Sequence, residues 1–217
     1  LPEHVMATAE TPLELLRALD SAKPAERPAT HAAPPEAALE AVDDLPLRAA
    51  TLVEVLEWHV AAHPERPHIT LLGEGGAPQV ITYGALLAAA QRPAAGLLER
   101  ELQPGQPVAI MLPSGADYFH AFMGVLLAGG VPVPIYPPAR PSQIEEHLRR
   151  HTGILENARA AILITVPEAK VAARLLRMRV LSLRHITTPE ELRREGSAVP
   201  RAAGQGGDIA HLQYTSG

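Results

Sequence analysis

Three short apolar runs, Val108–Leu112, Val131–Ile135 and Ala161–Thr165, are separated by stretches of helical periodicity, and this alternation limits the possible folds more than any other feature. Runs this short and this continuously apolar read as strands buried on both faces, and neighbouring parallel strands need a crossover helix between them. Ser114-Gly115-Ala116-Asp117 opens such a helix, which runs to Ala128 and stops at Gly129-Gly130. Ser142-Gln143-Ile144-Glu145 caps the next, with Ile144, Leu148, His151 and Leu155 expected to face inward. A helix over Glu168–Leu176, a strand over Val180–Leu183, a helix capped by Thr188-Pro189-Glu190-Glu191 and a last strand over Ile209–Tyr214 continue the pattern. The expected fold class is therefore α/β, a layered sheet with helices on both faces.

Ahead of this unit, Thr51-Leu52-Val53-Glu54 forms a capping-box sequence, and Leu52, Val55, Leu56, His59 and Val60 make the inward stripe of a helix ending at His63-Pro64. His68–Leu72 and Gln79–Thr82 flank Gly73-Glu74-Gly75-Gly76 and read as a hairpin. Tyr83 to Leu102 is helical by pattern, with a kink expected at Pro93. Residues 48–217 thus form the main domain. Residues 21–47 are rich in proline and alanine and read as a linker with a helical turn at Glu36–Val42, and residues 1–20 hold a small unit with a helix start at Thr11-Pro12-Leu13-Glu14.

Several functions are excluded by composition. Nineteen basic against 24 acidic side chains give −5, so no broad phosphate-neutralising surface exists for nucleic acid. The absence of cysteine removes disulfides, thiolate metal sites and cysteine nucleophiles. That absence is compatible with a cytoplasmic protein, and no signal-peptide order is visible. Ala121–Ala139 carries no charge, yet Gly129-Gly130 and prolines 132, 134, 137 and 138 would break a spanning helix, so no membrane span is expected. His59/His63 and His147/His151 have the i, i+4 spacing of helical metal ligands, but no glutamate follows the first histidine of either pair. They read as surface or half-buried polar positions, and no metal site is expected. Gly204-Gln205-Gly206-Gly207 precedes the last strand, where a dinucleotide-binding loop would follow one, and reads as a flexible connector.

The sequence ends on Tyr214-Thr215-Ser216-Gly217, directly after the apolar run Ile209–Leu212, and so reads as a piece of something longer. A loop leaving a parallel strand is a usual place for nucleotide phosphates, because backbone N–H groups point outward there and hydroxyls add neutral donors.

Asp208-Ile209-Ala210-His211-Leu212-Gln213-Tyr214-Thr215-Ser216-Gly217 resembles the approach to the phosphate loop of the adenylate-forming (AMP-binding) superfamily. Ile81-Thr82-Tyr83-Gly84-Ala85-Leu86 resembles its LTYxEL segment, and Leu102-Gln103-Pro104-Gly105-Gln106-Pro107-Val108-Ala109-Ile110 its LxPGDxVAI segment. Val131-Pro132-Val133-Pro134-Ile135-Tyr136-Pro137-Pro138-Ala139-Arg140-Pro141 resembles the fatty acyl-AMP ligase branch in particular. The resemblance covers residues 48–217 and implies the N-terminal subdomain of the adenylate-forming fold, incomplete at its carboxyl end. It implies ATP and Mg2+ as cofactors, a fatty acid substrate, and transfer of the acyl group to an acyl carrier protein thiol, in cis or in trans. Of the family's functional residues, Thr215, Ser216 and Gly217 carry over as the start of the phosphate loop, and no catalytic residue falls within the segment. A coenzyme A ligase or amino-acid adenylation domain of the same fold is the neighbouring alternative, and a non-catalytic nucleotide- or partner-binding module is the alternative of another class. Leu1–Leu16 resembles the end of an acyl carrier domain, whose phosphopantetheine would sit outside the segment, as in a multidomain lipid or polyketide assembly protein.

Overall fold

A computed structural model describes residues 44–73, 77–136, 144–193 and 204–215, together with residues 11, 13, 14, 16 and 17. The chain divides into two compact units, Leu1–Ala41 with Pro138–Ile144, and Val42–Pro137 with Glu145–Gly217. In the first, the capping box forms as its sequence predicts: Glu14 N–H donates to Thr11 Oγ1 at 3.3 Å, and Thr11 N–H to Glu14 Oε2 at 3.1 Å. The linker and its helical turn lie outside the described residues.

The second unit opens with α1 (Leu52–Ala62), capped by the Thr51 side chain. Strands β1 (Pro67–Leu71) and β2 (Gln79–Thr82) pair antiparallel as the expected hairpin. Helix α2 (Tyr83–Glu99) is capped by Thr82 and continues as one helix through Pro93, which is buried. Gly124 on the facing helix leaves room for its ring. A Cβ at Gly124 would lie 2.7 Å from Pro93 Cγ and 3.0 Å from the Ala90 carbonyl oxygen, so the proline ring fills space left open on the facing helix.

The main sheet follows the alternation read from the sequence. Strands β3 (Pro107–Met111), β4 (Val131–Pro134), β5 (Ile162–Thr165) and β6 (His185–Thr187) are all parallel, in the order β4-β3-β5-β6. Helices α3 (Ala116–Leu127), α4 (Ile144–Ala158) and α5 (Lys170–Arg179) provide the crossovers, and α6 (Pro189–Leu192) follows β6. Alternate strand residues divide the core. Val108, Ile110, Ile162 and Ile164 pack with Leu97 of α2, Val125 of α3 and Leu192 of α6, whereas Ala109, Met111 and Leu163 pack with Leu155 of α4 and Leu176 of α5. Helices therefore cover both faces of the sheet, as expected.

Four expectations need correction. Val180–Leu183 is not a strand: Val180 caps α5, Leu183 N–H returns to the Val180 carbonyl at 3.1 Å, and the strand is the next segment, His185–Thr187. Val180 and Leu183 are apolar because they fill the core beneath a turn. Ile209–Tyr214 forms no strand either. In β4, Val131 N–H and the amide after the strand, Ile135 N–H, donate toward β3, so Pro132 and Pro134 face the outer edge and have no N–H to offer. That edge presents carbonyls alone, and a single bond, Leu212 N–H to the Pro132 carbonyl at 3.0 Å, ties the last segment to it. Gly204–Gly207, read as a flexible connector, contains a hydrogen-bonded turn in which Gln205 N–H donates to Asp208 Oδ2 at 2.7 Å. His151 is wholly buried rather than at the surface or half-buried, on the same inward face as Leu155. The side chains of Ile144, His147 and Leu148 lie outside the described residues, as do Ser142 and Gln143.

Candidate nucleotide-binding site

The strand order places a topological switch between β3 and β5. The chain leaves β3 toward β4 on one side and later proceeds from β5 to β6 on the other, and open α/β sheets bind ligands at the carboxyl ends around such a point. The segment entering the Thr-Ser-Gly loop runs beside β4 and is held by four contacts. Leu212 bonds to Pro132 as described. Tyr214 Oη donates to Asn157 Oδ1 of α4 at 2.5 Å, and Arg150 Nη2 of α4 donates to the Thr215 carbonyl at 3.4 Å. The His211 ring lies 6.2 Å from Phe122 of α3. Tyr136, from the proline-rich segment after β4, sits edge-on to His151 at 5.4 Å, and the Arg150 guanidinium carbon lies 5.8 Å above its ring. Thr215 is exposed, and its carbonyl accepts the bond from Arg150. Ser216 and Gly217 lie outside the described residues. Sequence reasoning did not find Arg150 and Asn157, since nothing local to α4 signals a partner about 60 residues away.

Two other polar clusters lie away from this loop. His59 Nδ1 and His63 Nε2 lie at hydrogen-bond distance, 2.8 Å apart, while His59 and His68 stack on Tyr83 with ring centroids 4.1 and 4.2 Å away. The pair read from its i, i+4 spacing is thus a hydrogen-bonded, aromatic-packed structural element joining α1, β1 and α2. Between α2, α3 and α6 lies a groove of about 380 Å3 with an alanine floor and a rim of Arg92, His120 and the Arg193–Asp117 ion pair, whose charged atoms are 2.6 Å apart. Among the described residues, no group of three or more histidine, cysteine, aspartate or glutamate side chains is placed to hold a metal ion. No described helix is long and apolar enough to cross a membrane.

These clusters give the domain an acid-sensitive stability. Partial burial lowers the pKa of His59, His68, His120 and His185 from the usual histidine value. Neighbouring positive groups (His63, His68 and Arg66 around His59; Arg193 at His120; Arg184, Arg100 and Arg177 at His185) push in the same direction, while Asp117 opposes at His120 and Glu101 at His185. Because the folded pKa lies below the unfolded value of about 6.5, this stability is present above that pH and is lost as pH falls below it. Glu191, lowered chiefly by its hydrogen bond to Lys170, keeps its contribution until pH falls below the ordinary carboxylate range. The melting temperature is expected to fall between pH 7 and pH 5, and H120Q to flatten part of that slope. A melting temperature independent of pH across this window would contradict the assignment.

A parallel sheet with crossover helices on both faces matches the N-terminal subdomain of the adenylate-forming fold. The chain belongs to the AMP-binding enzyme family, whose profile matches residues 56–217. It is 32% identical over 150 residues to the long-chain-fatty-acid–AMP ligase FadD32 of Mycolicibacterium smegmatis, covering 65% of this chain and 22% of that protein. It is 34% identical over 128 residues to human Disco-interacting protein 2 homolog A, covering 58% of this chain and 8% of that protein. The crystal structure of a fatty acid AMP ligase from Legionella pneumophila superposes with a TM-score of 0.65 at 29% identity, covering 79% of this chain and 29% of that one. The chain thus spans about a fifth of the length of FadD32 and less of the human relative.

Proposed function

We propose that this chain is the N-terminal part of an enzyme that activates a fatty acid with ATP. The carboxylate oxygen attacks the α-phosphorus, the bond to the β-phosphate bridging oxygen breaks, and pyrophosphate leaves acyl-AMP behind. The thiol of a carrier protein's phosphopantetheine then attacks the acyl carbonyl and releases AMP. The observation that carries this reading is the identity to fatty acyl-AMP ligases over the family-matched residues, together with the Val131–Pro141 motif that resembles the same branch. Thr215, Ser216 and Gly217 begin the loop that holds the phosphates, through backbone N–H groups and two hydroxyls. Magnesium enters with ATP as the substrate complex, and no residue described here is assigned to it. Residues 48–217 form the ligase part, residues 21–47 the linker, and residues 1–20 the end of a carrier domain, all in the cytoplasm.

The deciding experiment supplies the complete ligase with ATP, magnesium and a fatty acid, with and without coenzyme A, and follows products by mass spectrometry. Acyl-adenylate that persists when coenzyme A is added is expected. Rapid conversion to acyl-CoA would assign the protein to coenzyme A ligases, and no adenylate from any acid would overturn the enzymatic reading.

A further inference from the structure

Arg150 and Asn157 are seven residues apart on α4, two helical turns, so they project from the same face. Both reach the segment entering the Thr-Ser-Gly loop, Asn157 through the Tyr214 hydroxyl and Arg150 through the Thr215 carbonyl. On the sheet side that segment has one backbone bond, because the outward positions of β4 are prolines. Tyr136 extends the arrangement into the proline-rich motif, with its ring beneath the Arg150 guanidinium and its edge against buried His151.

The geometry points to Arg150 and Asn157 as positioning residues that clasp the loop approach to α4 and set where its phosphate-facing groups stand. This deepens the function proposed above and rests on it. Arg150 performs two tasks with one group: it donates to a main-chain carbonyl and lies as a cation over an aromatic face. The Thr215 carbonyl it holds belongs to the peptide unit that leads into Ser216 and Gly217. Losing the clasp therefore affects nucleotide binding before it affects chemistry. The hydrophobic face of α4, with Leu155 in the core, does not depend on either residue.

The test uses the complete ligase and two readouts. Hydrogen exchange follows residues 212–215 against the core strand β5, and steady-state kinetics separate the KM for ATP from kcat. R150A and N157A are expected to speed exchange within 212–215, read at the sheet-bonded Leu212 amide, by about tenfold while β5 stays protected. R150A is expected to raise the KM for ATP by about tenfold and to change kcat by less than about threefold. R150K, which keeps a donor and a cation over Tyr136, is expected to recover most of both effects. Unchanged exchange at 212–215 in both alanine variants would overturn the clasp, and faster exchange with an unaltered KM for ATP would overturn its role in positioning the loop. If the unsubstituted ligase forms no adenylate, the proposed function fails by itself, and exchange with and without ATP still decides the clasp. Protection of 212–215 by ATP that R150A abolishes would support it; protection untouched by R150A would end it.

Discussion

Gly96→Ala is expected to destabilise the domain by about 3 kcal/mol, although alanine is the better helix former by about 1 kcal/mol. Gly96 lies in α2 where α6 crosses it, and a Cβ there would stand 2.5 Å from the Leu192 carbonyl oxygen, 2.8 Å from its Cα and 3.0 Å from its carbonyl carbon. All three neighbours are backbone atoms, so no side-chain rotation relieves the clash, and α6 has to move away. Leu192, wholly buried in the core over one sheet face, would then lose its packing. Arg100, which donates to the Gly96 carbonyl at 2.8 Å and to the Glu191 carbonyl at 3.5 Å, would lose the bond that joins the two helices. Gly153 provides the control. It too lies inside a helix, α4, but a Cβ there would meet nothing within 4 Å, so Gly153→Ala should stabilise by about 0.5–1 kcal/mol. Urea unfolding of the two variants is expected to give opposite signs. A neutral or stabilising Gly96→Ala would mean that α6 does not pack against α2 as described.

Under the function proposed above, Thr215→Val is expected to carry the largest functional effect, a fall of about 100-fold in kcat/KM for ATP in the complete ligase. Valine keeps the branched shape and leaves the backbone carbonyl in place to accept from Arg150, so the clasp survives and only the hydroxyl is lost. Removing one preorganised donor to developing charge typically reduces rates by 10²–10³, and 100-fold corresponds to about 2.7 kcal/mol of transition-state stabilisation. The loss should appear in the adenylate-forming half-reaction, measured by pyrophosphate exchange, and leave thiol transfer from preformed acyl-AMP unaltered. Equal rates for Thr215→Val and the unsubstituted ligase would remove Thr215 from the phosphate-binding groups.

The sheet was legible in the sequence where burial on both sides leaves no polar alternation. Val108–Met111, Val131–Val133 and Ile162–Ile164 are continuous apolar runs because helices cover both of their faces. Strand β6 was harder to read, since His185-Ile186-Thr187 at the sheet edge is short and half polar, while the apolar residues just before it serve a turn. Ile209–Tyr214 carries strand composition but meets a neighbour without the amides to complete a ladder, a property of Pro132 and Pro134 about 80 residues upstream. The helix through Pro93 was legible as Tyr83–Leu102, but the room for its proline ring is a missing side chain at Gly124 in another helix. The final motif names Thr215, whose role belongs to the proposed function, whereas Arg150, Asn157 and Tyr136 come beside that segment only when the crossover sets α4 there.

The prolines of β4 also decide what that edge can offer to any further strand. Exposed sheet edges are where proteins most readily join strand to strand, each lending amides to the other's carbonyls. Two β4 edges brought together at Pro132 and Pro134 would set oxygen against oxygen with no hydrogen between them, and the opposite edge, β6, is only three residues long. The same two residues that leave the Leu212–Thr215 segment with one backbone bond to the sheet therefore make the β4 edge a poor template for a further strand of any origin.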